Sequence, residues 1–242
     1  MVWKTLIVRA TDFCDGNCYG CLWRRSSSGG FALPVTAVSN VVSKIRDFIF
    51  NEAVILCPNP LRNPKILDII SVISKVSKRI YLFMPMSSIG RMRGRRILEN
   101  IDELVMVTTT PEDFKVNEGN LKVILSQGFT NLALYIAVGS HSINMENILS
   151  LVSKGKEYGL RIRIGEIPYS ATLTLDIKPI FAKKGYSVGF SYGTLYGYMA
   201  SMAFIGNYPI TILAKPLTGE CRKLFIDPYG RAVSYTHLTL PT

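Results

Sequence analysis

The sequence predicts an α/β fold in which six parallel strands alternate with helices, as in a partial (β/α)6 barrel or a doubly wound sheet. Six short apolar runs typical of buried strands recur within residues 3–168. Segments with apolar residues at helical spacing separate these runs. Alternating β and α units of this size form a parallel sheet with right-handed crossovers. In either architecture, functional sites gather at the carboxyl ends of the strands.

The first half of this pattern contains three strands and two helices. The runs WKTLIVRA, AVIL and RIYLFMP are predicted strands, of which AVIL is Ala53–Leu56. The segment PKILDIISVISKV is a predicted helix that opens at Pro64, since proline is favoured in the first turn. The segment VVSKIRDFIF is also a predicted helix, because apolar residues share one face: Val38, Val41, Ile45, Phe48 and Ile49.

The second half adds three more strands and two helices with recognisable caps. The runs ELVMVTTT, NLALYIAVG and LRIRIGEIP are predicted strands. After the first of them, Thr110 is a predicted helix cap and Pro111 the first helical residue. The segment NMENILSLVSKGKEYG is a predicted helix that begins after the cap Asn144 and stops at Gly159.

One long stretch, residues 185–214, carries no charged side chain. Its length would suffice to span a bilayer. It also contains Asn207, Pro209, five glycines and five tyrosines, a polarity that favours buried strand and loop. The amino-terminal apolar run is short and lacks a signal-peptide cleavage pattern. We therefore expect no membrane insertion and a cytoplasmic location.

The chain is basic, with a formal net charge of +11 and a pI near 9.5. Such a charge favours anionic partners, including nucleic acid, acidic peptides and small anions. The densest basic patches are RMRGRR at 91–96 and WRR at 23–25. Both patches lack the interleaved aromatic residues of a single-strand binding platform. The pattern therefore argues against nucleic acid as the partner, and a solvated helix face is the simplest interpretation of 91–96.

Three of the five cysteines, Cys14, Cys18 and Cys21, lie within eight residues of one another. Clustered thiols in a chain with so few cysteines favour metal binding in a reducing compartment over a disulfide framework. Their C-x3-C-x2-C spacing supplies three ligands on one loop, whereas a closed structural zinc site requires four. Three thiolates suit an iron–sulfur cluster in which one iron has no protein ligand. The loop follows the first strand, where a site is expected.

The segment TDFCDGNCYGC resembles the signature of the radical S-adenosylmethionine (radical SAM) superfamily, and residues 3–168 resemble its barrel in architecture. The resemblance implies a partial (β/α)6 TIM-like barrel with parallel strands. It implies that Cys14, Cys18 and Cys21 bind a [4Fe-4S] cluster whose open iron chelates SAM. It further implies reductive cleavage of SAM to a 5′-deoxyadenosyl radical that abstracts hydrogen from a substrate.

The same resemblance suggests residues that contact SAM. The family usually has an aromatic residue just before the third cysteine, near the adenine, and here Tyr19 stands one position earlier. After the second strand the family often reads GGEPL and then NP, where this chain reads CPNPLRNP at 57–64. Asn59 therefore replaces the glutamate at the SAM amino group. Thr108 and Thr110 occupy positions where hydroxyls often lie near the SAM carboxylate, although a helix cap is an equally good interpretation.

Two further polar residues lie in the predicted loops at strand ends. His141 follows the fifth strand, and the simplest interpretation is an ordinary loop histidine. Glu166 ends the sixth strand and would face the mouth of a barrel. We expect it to be a surface carboxylate, with substrate contact as the alternative.

The C-terminal segment GECRKLFIDPYGRAV resembles the start of a SPASM/twitch extension, in which a cysteine precedes a β-hairpin. The resemblance implies that Cys221 binds an auxiliary [4Fe-4S] cluster, and a free cysteine beside an ordinary hairpin is the alternative. The last ten residues, VSYTHLTLPT, look like a translated sequencing adapter. The expected organisation is a radical SAM partial barrel at 1–184, an incomplete extension at 185–232 and the artefact at 233–242. The natural chain is then expected to continue past Ala232.

The resemblance implies a radical SAM enzyme whose substrate is a peptide, a protein or a small molecule such as a cofactor precursor. It also implies a ferredoxin- or flavodoxin-like electron donor. Two alternatives remain open. One is a degenerate barrel whose cluster serves structure or electron transfer without SAM cleavage, which the replacement of the usual glycine–glutamate run by CPNP favours. The other is a zinc-stabilised nucleic-acid-binding protein, which the positive charge favours.

Overall fold

The described part of the chain is organised around one eleven-stranded sheet. The computed structural model describes residues 4–13, 30–45, 47–56, 59–92, 96–138, 144–166, 177–214 and 223–234. The strands are β1 Thr5–Val8, β2 Glu52–Ile55, β3 Ile80–Pro85, β4 Glu103–Thr108, β5 Leu132–Val138, β6 Arg161–Glu166, β7 Val188–Leu195, β8 Tyr198–Ile205, β9 Tyr208–Ala214, β10 Lys223–Ile226 and β11 Ala232–Ser234.

Helices connect the first six strands. The α-helices within the described ranges are α1 Val35–Lys44, α2 Ile66–Ile73, α3 Pro111–Ser126, α4 Met145–Glu157 and α5 Ile177–Lys183. Short 3-10 segments span Pro60–Arg62, Met86–Met92 and Arg96–Asn100. Among the helices in these ranges, none is both long enough and apolar enough to span a bilayer.

Strands β1 to β6 lie side by side in chain order, and each pair is parallel. Beyond β6 the sheet continues with β9 in parallel, then β8 and β7 in an antiparallel meander. Beyond β1 it continues with β10 in parallel and β11 in antiparallel orientation. This is the predicted α/β architecture, a partial TIM-like barrel with parallel strands. Strands β7 to β9 extend the sheet beyond β6, and β10 and β11 extend it beyond β1.

Both faces of the parallel strands are buried, which explains why their sequences read as continuous apolar runs rather than as an alternation. One face packs against the helices and forms the larger apolar cluster. The other face lies inside the curled sheet. Its cluster is rich in aromatic residues, which include Tyr81, Phe83, Tyr135 and Tyr196.

The tip of the β7–β8 hairpin closes the inside of the sheet at the amino ends of the strands. Tyr196 and Gly197 form the turn with φ angles of 54° and 73°, the pair of positive values that a two-residue type I′ hairpin requires. Tyr196 packs edge-on against Tyr81 and Phe83, with ring centroids 4.9 and 4.8 Å apart. The Glu52 carboxylate accepts the N–H groups of Tyr196 and Gly197 at 3.2 and 2.7 Å.

The predicted helix over VVSKIRDFIF was wrong in its second half. α1 ends at Lys44, and Ile45 has left helical geometry with φ −119° and ψ 17°. Phe48 and Ile49 lie outside the helix and are exposed at 37% and 60%. The chain turns here because Phe50 must pair with the segment before β3, where its N–H donates to the Val76 carbonyl at 2.7 Å.

The predicted caps of α3 and α4 were confirmed. The Thr110 hydroxyl accepts the Asp113 N–H, and Pro111 is the first residue of α3. The Asn144 side chain caps α4, and Gly159 follows the helix with a φ of 64°. The charge-free stretch forms strands β7 to β9, as predicted, but the expected burial holds for only part of it, since most described residues of β7 are exposed and Phe190 is 98% exposed. β11 includes Val233 and Ser234, and because pairing requires only backbone groups, it does not test the origin of residues 233–242.

Candidate functional site

The carboxyl ends of the parallel strands bring together the described positions that the sequence predicts for a site. Asn59 follows β2, Thr108 ends β4 and Glu166 ends β6. Segments 14–29, 57–58, 139–143, 167–176 and 215–222 follow β1, β2, β5, β6 and β9 and lie outside the described residues. Several predicted residues therefore lie outside them too: Cys14, Cys18, Tyr19, Cys21, Cys57, His141 and Cys221.

The two ends of the cysteine-containing segment are held together at the carboxyl end of β1. Thr11 and Ala32 form an antiparallel bridge on either side of residues 14–29. The Asp12 N–H donates to the Phe31 carbonyl at 3.0 Å, and the Phe31 N–H donates to the Asp12 carboxylate. Asp12 itself is buried. Residues 14–29 therefore leave and rejoin the described fold at one point, beside the end of β1.

Asn63 ties this point to the segment after β2. Its buried side-chain amide donates to the carbonyls of Ala10 and Leu33 at 2.8 and 2.9 Å, one before and one after the cysteine-containing segment. Its carbonyl oxygen accepts the Lys65 N–H at 2.9 Å. Sequence reasoning noted the Asn63–Pro64 pair only as part of a motif and missed this role. The position of the pair directly after a strand was the available signal.

Replacing Asn63 by alanine is expected to lower the free energy of unfolding by about 1–3 kcal/mol, since the buried Leu33 carbonyl loses this donor and the buried Ala10 carbonyl keeps only the Leu33 N–H. Urea unfolding measures the change. Asn117→Ala is the matched control, because Asn117 is also buried but its side chain bonds only within α3, to Asp113. Alanine favours the helix there, which offsets part of the loss. Equal losses in the two variants would contradict the proposed tie.

Asn59 is fully buried after β2, and its side chain orders the turn there. The carboxamide oxygen accepts the Leu61 N–H at 3.1 Å and caps the 3-10 segment Pro60–Arg62. The next residue, Arg62, lies over the Phe13 ring at 4.5 Å from its centroid. The segment after β2 is thus packed against the residue that precedes Cys14.

Thr108 and Thr110 use their hydroxyls within the protein. The buried Thr108 hydroxyl contacts the Thr110 carbonyl at 3.1 Å and the Asp113 carboxylate at 3.0 Å. Burial raises the pKa of Asp113 above its ordinary value, while the Thr108 hydrogen bond acts in the opposite direction. Contact between the Thr108 hydroxyl proton and an external carboxylate would require its release from these acceptors.

Thr108→Val is expected to raise the pKa of Asp113 further, since the hydrogen bond that favours its charged form is lost. A carboxyl group with a raised folded-state pKa loses stability as pH rises through that pKa. The variant should therefore be more strongly destabilised at pH 7 than near pH 3.8, the ordinary value for Asp113. Urea unfolding across this range measures it. Thr110→Val, which loses a cap to a backbone N–H, should show a loss that is independent of pH.

Glu166 is buried, with 7% of its surface exposed, so the expectation of a surface carboxylate was wrong. It ends β6 inside the edge of the barrel, and the Tyr135 hydroxyl donates to its backbone carbonyl at 2.6 Å. Gly165 makes room for this contact, since a Cβ atom there would lie 2.4 Å from the Tyr135 oxygen. Burial holds the pKa of Tyr135 well above its ordinary value, so its hydroxyl stays a donor. A carboxyl side chain and a fixed phenol thus mark the end of β6.

Among the residues with described positions, no group of three His, Cys, Asp or Glu side chains is placed to hold a metal ion. The predicted ligands are the cysteines of segment 14–29, which lie outside those positions.

The fold is similar to that of SuiB from Streptococcus suis. The SuiB structure bound to S-adenosylmethionine has a TM-score of 0.61 and 10% identity over 100% of this chain and 62% of SuiB. SuiB bound to the precursor peptide SuiA gives 0.60 and 12% over 96% of this chain and 59% of SuiB. A third SuiB structure gives 0.54 and 13% over 76% and 45%.

This chain therefore spans about three fifths of the length of SuiB in the two fullest superpositions. At these identities the similarity shows a shared fold. Comparison with protein-family models finds no match, and neither does comparison with curated proteins.

Proposed function

We propose that the chain is the catalytic barrel of a radical SAM enzyme. In this proposal Cys14, Cys18 and Cys21 bind a [4Fe-4S] cluster, and SAM occupies its open iron. The observation that carries the proposal is the position of the C-x3-C-x2-C segment, directly after β1 in a fold shared with SuiB. SuiB has been solved with S-adenosylmethionine bound, which supports SAM as the ligand of this fold.

The donor set fits the proposed cluster. Three thiolates on one segment leave one iron of a four-iron cluster without a protein ligand. When bound, such a cluster supplies the electron that cleaves SAM to methionine and a 5′-deoxyadenosyl radical, which takes a hydrogen atom from the substrate. The base of the segment is anchored where this chemistry requires it, at the carboxyl end of β1, by the Thr11–Ala32 bridge and the Asn63 amide.

The chain's own residues would position SAM and substrate around this point. Asn59 is the proposed contact of the SAM amino group, with backbone carbonyls nearby, and Thr108 and Thr110 are the proposed contacts of its carboxylate. Tyr19 is the proposed contact of the adenine. Glu166, buried at the end of β6, is the proposed contact of a polar group of the substrate.

We propose a peptide as the substrate class. The peptide-bound SuiB structure shows that this fold can serve a protein that binds a precursor peptide. The basic surface of this chain is suited to an acidic segment of such a peptide and to an acidic ferredoxin- or flavodoxin-like electron donor.

An auxiliary cluster on Cys221 remains part of the proposal. The hairpin expected after this cysteine is present as β10–β11, with Asp227 accepting the N–H groups of Tyr229 and Arg231 in its turn. β10 pairs in parallel with β1. Cys221 precedes the amino end of β10, and Cys14 follows the carboxyl end of β1. These are opposite ends of two neighbouring parallel strands.

A second candidate is a barrel that keeps the cluster for electron transfer or structure and does not cleave SAM. The observation in its favour is Asn59. This buried side chain carries no charge, and its oxygen already accepts the Leu61 N–H. Asn59 would therefore bind a SAM ammonium group more weakly than the glutamate that is usual at this position.

Formation of 5′-deoxyadenosine tests the proposal. Anaerobically reconstituted protein with SAM and a strong reductant is expected to form the product, and Cys18→Ala is expected to reduce it to the protein-free background. Iron and sulfide content per chain should fall in the same variant. Cys57→Ala is the matched control, because it removes a cysteine outside the three-cysteine motif and should keep both cluster and product.

The outcomes separate the two candidates. A cluster-loaded protein that forms no 5′-deoxyadenosine would exclude the radical enzyme and leave the electron-transfer or structural role. Equal iron loss in the Cys18 and Cys57 variants would contradict the ligand assignment itself.

A further inference from the structure

A cavity of about 350 Å³ opens at the amino ends of the strands. The cysteine-containing segment follows the carboxyl end of β1, which is the opposite end of that strand. The volume of the cavity falls at the lower end of the range of small-molecule sites. The residues that line it come from the starts of β1, β2 and β3 and from the end of β7: Lys4, Asn51, Glu52, Lys78, Arg79 and Thr194.

Three of the six lining residues are cations whose backbones are fixed by the sheet. The Lys4 carbonyl accepts the Asn51 N–H at 3.0 Å. The Lys78 N–H donates to the Phe50 carbonyl at 3.0 Å, and the Arg79 carbonyl accepts the Ala53 N–H at 2.7 Å. The three positive side chains therefore start from fixed points around one opening. Their charges reinforce one another there, which favours a ligand with more than one negative charge.

The one carboxyl group among the described lining residues, Glu52, is already engaged on its inner side. It accepts the Thr5 hydroxyl at 2.9 Å and the N–H groups of Tyr196 and Gly197. Burial also raises the pKa of Glu52, while the hydrogen bonds from Thr5, Gly197 and Tyr196 act in the opposite direction. Arg79 lies close enough to interact electrostatically with this carboxyl group. Even with Glu52 fully ionised, the described lining residues keep a net charge of about +2.

We propose that this cavity binds a compact phosphate-bearing anion, a function separate from the chemistry at the carboxyl ends. A phosphate group presents several acceptor oxygens, which suits two ammonium groups, a guanidinium group, the Thr194 hydroxyl and the Asn51 amide. No aromatic side chain is among the described lining residues, so the ligand is recognised by its charge rather than by stacking. A diphosphate or a short phosphate ester is the chemical class that fits.

Binding would also connect two parts of the fold. Thr194 lies on β7, two residues before Tyr196 at the hairpin tip, whereas Lys4 and Lys78 precede β1 and β3. A ligand held by both sides would stabilise the docked hairpin. The midpoint temperature of thermal unfolding should therefore rise when the ligand is added, because a ligand that binds only the folded state stabilises it.

The experiment is calorimetric titration of the full chain with pyrophosphate at low ionic strength. We expect saturable binding that Lys4→Gln/Lys78→Gln weakens at least tenfold. Lys115→Gln/Lys156→Gln is the matched control, since it removes the same charge from two exposed lysines on α3 and α4, outside the cavity lining, and should bind as the parent does. Chelation of iron by pyrophosphate would affect both double variants equally. Malonate tests whether a dicarboxylate can replace the phosphate groups, and it is expected to bind much more weakly.

Three results would overturn the proposal. The first is no saturable binding of pyrophosphate up to ~1 mM. The second is equal weakening in the two double variants, which would indicate general charge attraction. The third is malonate binding as tight as that of pyrophosphate. Circular dichroism confirms that both double variants are folded, and Lys78→Gln alone, with an expected severalfold loss, repeats the test with a smaller change.

Discussion

Replacing Glu103 by alanine is expected to lower the free energy of unfolding by about 3–5 kcal/mol, because it leaves the buried Tyr196 hydroxyl without its acceptor and the mostly buried Arg163 guanidinium without its counter-charge. The side chain of Glu103 is 3% exposed. Its carboxylate accepts Arg161 at 2.9 Å, lies 3.7 Å from Arg163 and accepts the hydroxyl of Tyr196. One residue thus holds the start of β4, β6 and the tip of the β7–β8 hairpin together.

Urea unfolding measures the loss, with Glu99→Ala as the control. Glu99 is exposed, so its replacement should change stability by no more than about 0.5 kcal/mol. Glu103→Gln keeps an acceptor oxygen for Arg161 and should lose less than the alanine variant. A loss in Glu103→Ala as small as that in the control would mean that the carboxylate does not hold the hairpin.

Phe83→Ala is expected to cost about 3–5 kcal/mol through the cavity that it opens inside the barrel. Phe83 is fully buried, and its ring packs edge-on against Tyr135 and Tyr196 with centroids 5.6 and 4.8 Å apart. The surrounding rings are fixed by their own hydroxyl hydrogen bonds, to Glu166 and Glu103. They are therefore poorly able to collapse into the space.

Thermal or urea unfolding checks this loss against Phe190→Ala. Phe190 is 98% exposed on β7, so its truncation removes little buried surface and should leave stability nearly unchanged. If Phe83→Ala were as mild as Phe190→Ala, the inner face would not be a packed core.

The parallel strands were predictable because burial on both faces leaves a continuous apolar run in the sequence. Leu104 to Val107 is such a run, and every residue in it is buried. The caps at Thr110 and Asn144 were predictable for a different reason: each acts on backbone N–H groups two or three residues away. Local chemistry is readable from local sequence.

The end of α1 could not be predicted by periodicity. The apolar spacing continues through Phe48 and Ile49, yet the helix stops because the chain must reach β2 in the correct pairing. The hairpin tip was equally hidden. Tyr196 at the tip contacts Glu103 and Glu52, which lie 93 and 144 positions earlier in the sequence. No local sequence pattern marks such distant pairs.

The cysteine motif predicts a site after the first strand, and that location stays a prediction because residues 14–29 lie outside the described part of the chain. The supports of this point of the fold were not predicted. The tie made by Asn63 and the burial of Glu166 were missed, because both depend on neighbours from distant parts of the chain. The roles of Tyr19, Asn59, Thr108 and Thr110 toward SAM stay predictions.

The β7–β8 hairpin, whose tip closes the barrel at the amino ends of the strands, also affects the order in which the fold can form during synthesis. During synthesis β1 to β6 leave the ribosome first, and among the described residues the inner aromatic face gains the packing of Tyr196 and Tyr198 only when β7 and β8 follow. Contacts of such long sequence separation form slowly, and an exposed apolar face is prone to association while it waits. We therefore expect the six-stranded part to be prone to association during synthesis until residues 185–214 are made and cover its inner face.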